Sequence, residues 1–170
     1  MGREDALTLE STNQAADYPM ENSLPNARLL LDALAVSPER LKAAGRAAVP
    51  LPVLRALLSA AVASQPFNEE FYLSTYSDVS AAHKAGQIED LRSHFIASGF
   101  LEGRLGAKPD VDESFYRKTY PDVAVAISKG EVASGYEHFV TAGAWEGRSP
   151  NAASQRSMKY WQDVFAKARS

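Results

Sequence analysis

Cysteine is absent from the 170 residues, which removes disulfides, a thiol nucleophile and any thiolate zinc site. Histidine occurs only three times, so a metal site would have to be built mainly from carboxylates. Positive charge is not in excess. The chain has 18 Lys and Arg against 21 Asp and Glu, a net charge of −3, whereas a nucleic-acid binder normally presents a basic face. Long apolar runs are missing as well. The longest, residues 49–63, contains Arg55, Pro50 and Pro52 and is too short to span a bilayer. The opening MGREDALTLE lacks the basic-then-apolar pattern of a cleaved secretory signal, and Ala6 stands where a myristoylation signal needs Ser or Thr. The expectation is a protein without a transmembrane segment. It would be cytoplasmic, or associated with a surface or particle after export that uses no cleaved signal. β-Branched residues are sparse and never alternate over a useful length, so strands are not expected.

What the chain does contain falls into five stretches. Residues 1–24 carry Glu4, Asp5, Glu10, Asp17 and Glu21 against Arg3 alone, the composition of a mobile acidic tail. Residues 25–66 read as a helical region. Leu30, Leu31 and Leu34 share one face, and Ser37 and Pro38 open a helix that Gly45 stops. Leu54, Leu57, Leu58, Ala61 and Val62 then follow at helical spacing. This region holds Arg28, Arg40, Lys42, Arg46 and Arg55 against Asp32 and Glu39, a net of +3. Those charges suit a solvated helical face, or one that offsets acidic parts of the chain.

Residues 67–106 and 111–150 align without a gap at a spacing of 44, and 15 of the 40 positions are identical. Chance at ordinary composition gives roughly two or three identities, so this is an internal repeat. Each copy reads as three helical pieces. In the second, Asp112 caps a helix with Phe115, Tyr116, Thr119 and Tyr120, and Pro121 opens the next, which stops at Gly130. Ser134 and Glu137, at capping-box spacing, open a third that ends at Gly143. Asn68 and Asp90 take the capping places in the first copy. Residues 151–170 form an amphipathic helix with Met158, Trp161, Phe165 and Ala168 in one stripe. It is read either as a cap over the second copy or as a docking helix.

The pattern Phe-Tyr, Tyr-(Pro)-Asp-Val, Gly, His-Phe and Gly-x-x-Glu-Gly-Arg resembles a short repeat seen in many bacterial proteins. That unit is found beside glycosyltransferase domains in polysaccharide gene clusters and in large secreted or surface proteins. The second copy carries the pattern fully in FYRKTYPDVAVAISKG and HFVTAGAWEGRSP, whereas the first has Ser77 in the proline place and Leu105-Gly106 in place of Ser149-Pro150. The resemblance implies a setting near bacterial surface polysaccharides. It supplies no reaction, because such a unit usually accompanies enzymes.

The repeated residues have two readings each. Arg104 and Arg148 offer planar donors to a carboxylate or a sugar hydroxyl, or else pair with Asp78 and Asp122 of their own copies. Glu102 and Glu146 lie between glycine and the small turn after Gly99 and Gly143. His94 and His138 sit a whole repeat apart, too far to share a metal unless the copies face each other, and are read as structural. Phe71 and Phe115 are expected to face inward. Tyr72 and Tyr116 are expected to pack with the hydroxyl on a polar partner, or to offer a ring to a glycan if exposed. Trp145, whose counterpart is Leu101, is the best single contact for a glycan or a protein if exposed, and Trp161 serves the docking reading of the last helix. No phosphate loop, nucleophile elbow or His-Glu-x-x-His occurs.

The sequence therefore predicts an all-α protein. It has N-terminal helices, two tandem three-helix repeats of 44-residue period and a C-terminal capping helix, with no cofactor and no metal. The leading functional expectation is a non-catalytic module that binds a protein partner of polysaccharide machinery or of a surface particle. A carbohydrate-binding adhesin or virion-like spike component recognising surface glycan is the first alternative. A small accessory enzyme of glycan metabolism is the second.

Overall fold

The computed structural model describes residues 24–43 and 45–169. The acidic tail expected at the N-terminus lies outside them, apart from Leu24. Every regular element among the described residues is helical, giving an all-α, multi-helix fold with no strand.

Local chemistry explains most of the helix starts. Helix α1 (Ala27–Leu34) begins where the Asn26 side chain accepts from the Leu29 amide at 3.1 Å, and it ends at Ala35 in a left-handed conformation. Helix α2 (Pro38–Lys42) starts from Ser37, whose hydroxyl accepts from Arg40, with Pro38 in the first turn. It stops at Ala43, before the expected Gly45, because the backbone there is already extended. Helix α3 (Leu51–Ala63) follows.

Next come α4 (Glu69–Thr75), α5 (Ser77–Lys84) and α6 (Leu91–His94), the last running straight into a π-helical turn over Phe95–Gly99. Helices α7 (Glu113–Thr119), α8 (Pro121–Ser128) and α9 (Gly135–His138) repeat the order and lead into a π-helical turn over Phe139–Gly143. Asn68, Asp90, Asp112 and Ser134 each cap the amide three residues on, at 2.7–3.0 Å. The capping box is displaced by one residue: Glu137 reaches back to the amide of Ala133. Helix α10 (Ala152–Arg169) closes the described chain, with Asn151 capping Ser154.

Two apolar clusters hold these helices together. The first gathers Tyr72, Val79, Leu91, Phe95 and Ile96 with Val62 and Ala63, so the last turn of α3 is part of the core of α4–α6. Arg92 strengthens that junction by donating to the Ala63 carbonyl at 2.6 Å. The second cluster gathers Tyr116, Val123 and Phe139, with Leu105 from the end of the first segment packed against it. Burying a Val or Phe side chain this way stabilises the fold by about 1.5–3 kcal/mol each. Each segment is also closed on itself by one backbone bond. The Asn68 amide donates to the Gly106 carbonyl at 2.8 Å, and the Asp112 amide donates to that of Pro150 at 3.1 Å.

Candidate functional site

Tyr72, Tyr76, Asp78, His94, Glu102 and Arg104 and their counterparts in the second segment are engaged inside their own segment, in matching geometry. The Tyr72 and Tyr116 rings are fully buried, and each hydroxyl is hydrogen-bonded to Nδ1 of His94 or His138 at 3.1 Å. The tyrosines, not Phe71 and Phe115, form the centre of each core; the two phenylalanines are only half-buried. Neither tyrosine therefore offers a ring to a ligand. Burial pushes both hydroxyls up to about 12, so they stay protonated. Burial also holds the His94 imidazole below its ordinary value. Nδ1 of each of these two histidines faces a tyrosine hydroxyl.

Gly99 and Gly143 make this packing possible. A Cβ at either position would overlap the hydroxyl of Tyr72 or Tyr116. The wide π-helical turn carries the glycine across the tyrosine tip, and its backbone bonds reach five residues, from Phe100 to Phe95 and from Ala144 to Phe139.

The arginines are equally committed. Arg104 donates to both carboxylate oxygens of Asp78 at 3.0 and 2.8 Å, and through Nε to Glu102 at 2.8 Å. Arg148 does the same to Asp122 at 3.0 and 2.7 Å and to Glu146 at 2.6 Å. Each guanidinium lies over a tyrosine ring, Tyr76 at 5.1 Å and Tyr120 at 4.9 Å. Those two tyrosines in turn accept from the Leu105 and Ser149 amides. The hydrogen-bonded guanidinium lowers the Asp78 carboxyl to about 2 and the Asp122 carboxyl likewise below its usual range. Three of the five N–H donors of each arginine are thus used within the segment. Glu113 has a role that its identity with Glu69 did not disclose: its carboxylate accepts from the Gly135 and Tyr136 amides at 2.9 and 2.8 Å, holding the start of α9.

Trp145 is placed differently. Its ring crosses from the second segment to the first and lies against Gly103, where an added Cβ would overlap the ring. Gly103 has a φ of +78°, a turn conformation that also favours glycine. The tryptophan is nevertheless 74% exposed. It forms one wall of a surface cleft of about 400 Å³, shared with Tyr76, Glu102, Arg104, Thr141 and Glu146. An aromatic face beside carboxylates and a hydroxyl is chemically suited to a neutral, hydroxyl-rich ligand. Leu101, its counterpart, is also exposed.

Apolar surface lies open at both ends of the described chain. Leu24, Leu29, Leu30, Val53, Ala56 and Leu57 line a cleft of about 400 Å³ between α1 and α3. Leu29 in that lining is exposed, and so are Leu51, Leu54 and Leu58 elsewhere on α3. Of the α10 stripe expected to cover the second segment, Met158 is half-buried and lines a cleft with Tyr120 and Gly147, whereas Tyr160, Trp161 and Phe165 are exposed and no residue of the helix is buried. Its connection to the body is at its first turn, where the Asn151 side chain donates to the Asp110 carbonyl at 2.8 Å.

Among the described residues, no group of three His, Asp or Glu side chains is arranged to hold a metal ion. No helix among them is long and apolar enough to cross a membrane. Compared with family models, with curated proteins and with solved structures, the chain shows no match.

Proposed function

We propose that this chain is a non-catalytic interaction module, made of two tandem copies of a 44-residue three-helix unit, that binds a protein partner. The observation that carries the proposal is the apolar cleft between α1 and α3, open to solvent, with the exposed Leu24 and Leu29 in its lining. Such a contiguous apolar patch marks a contact surface. The tandem copies support the same reading, because Tyr72, His94, Asp78, Arg104 and their counterparts serve to hold each unit together. The likeness of the repeat to units of polysaccharide gene clusters supports a setting in bacterial surface-polysaccharide biology.

The test is capture from native lysate by the full-length protein, alongside a Leu29→Asp/Leu54→Asp variant. Both side chains are exposed, so the variant keeps its helical circular-dichroism signal. The proposal expects a protein captured by the unmodified chain and lost with the variant. Capture that is equal for both, or no capture at all, rejects it.

The Trp145 cleft favours a second reading, carbohydrate binding at the seam of the two units. An exposed tryptophan beside Glu102, Glu146 and Thr141 offers a stacking face with hydroxyl-bonding groups around it. Retention on purified surface polysaccharide, lost in Trp145→Ala, is the expected outcome. A chain that shows no retention ends this reading.

A further inference from the structure

Helix α10 turns a mainly polar side toward the body of the molecule. The surface cleft between it and the second segment has Tyr120 and Gly147 on one wall and Gln155, Arg156, Lys159 and Gln162 on the other, with the half-buried Met158 among them. At roughly 100° per residue, Trp161, Val164, Phe165 and Ala168 fall on the opposite side. The exposure agrees: Tyr160, Trp161 and Phe165 are 63%, 52% and 50% exposed. Their rings form a continuous cluster, with Tyr160 to Trp161 at 5.7 Å and Trp161 to Phe165 at 5.8 Å. A single helix of this length draws little stability from its backbone alone and normally depends on packing of its apolar face. Here no residue of that face is buried, and only Val164 is half-buried.

Charge selects the occupant. Residues 151–170 hold Arg156, Lys159, Lys167 and Arg169 against Asp163, a net of +3. A second copy of α10 would bring the same charge against it, and so would the N-terminal helical region, also +3. An anionic surface is complementary to both the charge and the stripe. Trp and Tyr are the side chains that settle at the headgroup level of a bilayer. A helix with an aromatic stripe, a basic polar face and low mean hydropathy lies in the plane of that interface. We propose that α10 binds the surface of an anionic lipid bilayer, with Trp161 and Phe165 inserted among the headgroups and Arg169 at the rim.

The experiment is co-sedimentation of the full-length protein with phosphatidylcholine vesicles, with and without phosphatidylglycerol, at low and raised salt. Retention is expected only on the phosphatidylglycerol vesicles, weakening as salt rises. Phe165→Ser should abolish it, and Arg169→Gln should lower the partition coefficient about fivefold. A Trp145→Phe chain leaves Trp161 as the sole tryptophan, and its emission should shift to the blue on those vesicles. Because Phe165 is itself half exposed, Phe165→Ser keeps the fold, which far-ultraviolet circular dichroism checks. The Leu29→Asp/Leu54→Asp chain should bind vesicles like the unmodified one, so loss of the N-terminal partner and loss of lipid binding are separate results. The proposal is overturned by no retention at low salt, by equal retention on both vesicle types, or by retention that Phe165→Ser leaves intact. A concentration-dependent dimer that Phe165→Ser dissolves would assign the stripe to a second copy instead.

Discussion

Gly143→Ala should destabilise the protein, and Tyr116→Phe should rescue it. In an ordinary helical turn the replacement of glycine by alanine stabilises by about 0.5–1 kcal/mol, because glycine loses more backbone freedom on folding. At Gly143 the new methyl overlaps the hydroxyl of Tyr116, a side chain with no exposure and no room to retreat. Overpacking of this kind costs about 1–3 kcal/mol. Displacing the ring also breaks its bond to His138, which costs about 1 kcal/mol more. The expected net loss is roughly 1–3.5 kcal/mol once the backbone gain is subtracted. Tyr116→Phe alone loses the hydrogen bond, about 1 kcal/mol. With the hydroxyl gone, the nearest atoms to the new methyl are His138 Nδ1 at 3.2 Å and Phe139 Cδ2 at 3.4 Å, tight but adjustable. Alanine at 143 should then be close to neutral, giving a coupling of about 2 kcal/mol between the two sites. Urea denaturation of the four chains, followed by far-ultraviolet circular dichroism, measures it. Additive effects, or a stabilising Gly143→Ala in the presence of Tyr116, would refute the argument. The Gly99 and Tyr72 pair should show a weaker rescue, since the ring carbon bearing the hydroxyl is itself 3.3 Å from the added methyl.

Three further outcomes are expected. Arg148→Lys should cost about 1 kcal/mol in the same assay, from loss of the two-pronged bond to Asp122 and of the stacking on Tyr120. The effect is small because the Asp122 end is exposed and screened; a loss above about 3 kcal/mol would mean the arginine supports something deeper. Stability should fall at both ends of the pH scale. His94 is depressed, so its contribution is complete above about 6.5 and fades as pH falls below that; Asp78 holds its contribution above about 4 and loses it toward about 2. Tyr72 and Tyr116 are raised, so theirs is intact below about 10 and lost as pH climbs through about 12; denaturation midpoints unchanged between pH 4 and 2 would contradict the Asp78 assignment. Gly103→Ala should displace the Trp145 ring and change its fluorescence, whereas Gly147→Ala, equally strained at φ +73° but facing open space, should leave that emission unchanged.

Features set by neighbours in sequence were readable before the structure. Asn68, Asp90, Asp112 and Ser134 cap helices because a side-chain oxygen three residues before an amide needs no distant partner. The all-α class followed from the same local patterns. Contacts across the fold were not readable in this way. Tyr116 and Phe115 are adjacent aromatics, and only the path of α9 over α7 decides that the tyrosine is the buried one. The link from Gly143 to the Tyr116 hydroxyl joins residues whose spacing carries no periodic signal. The pairing of Arg104 with Asp78 was one of two open readings, since a guanidinium suits a ligand and a neighbour equally well. The exposed stripe of α10 could not be foreseen either, because an amphipathic pattern says that a helix has an apolar side and not which way it turns.

The amide-to-carbonyl bonds from Asn68 to Gly106 and from Asp112 to Pro150 bring the entrance and exit of each segment to one point. A loop pinched at its neck adds bulk to a chain without adding length between what comes before and after. Copies of such a loop can be gained or lost by recombination while the flanking helices keep their attachment. Tension applied along the chain would load these two necks together with the Val62 and Ala63 contacts that tie α3 to the first core. Each neck behaves as a latch that must slip before the helices behind it can be drawn out.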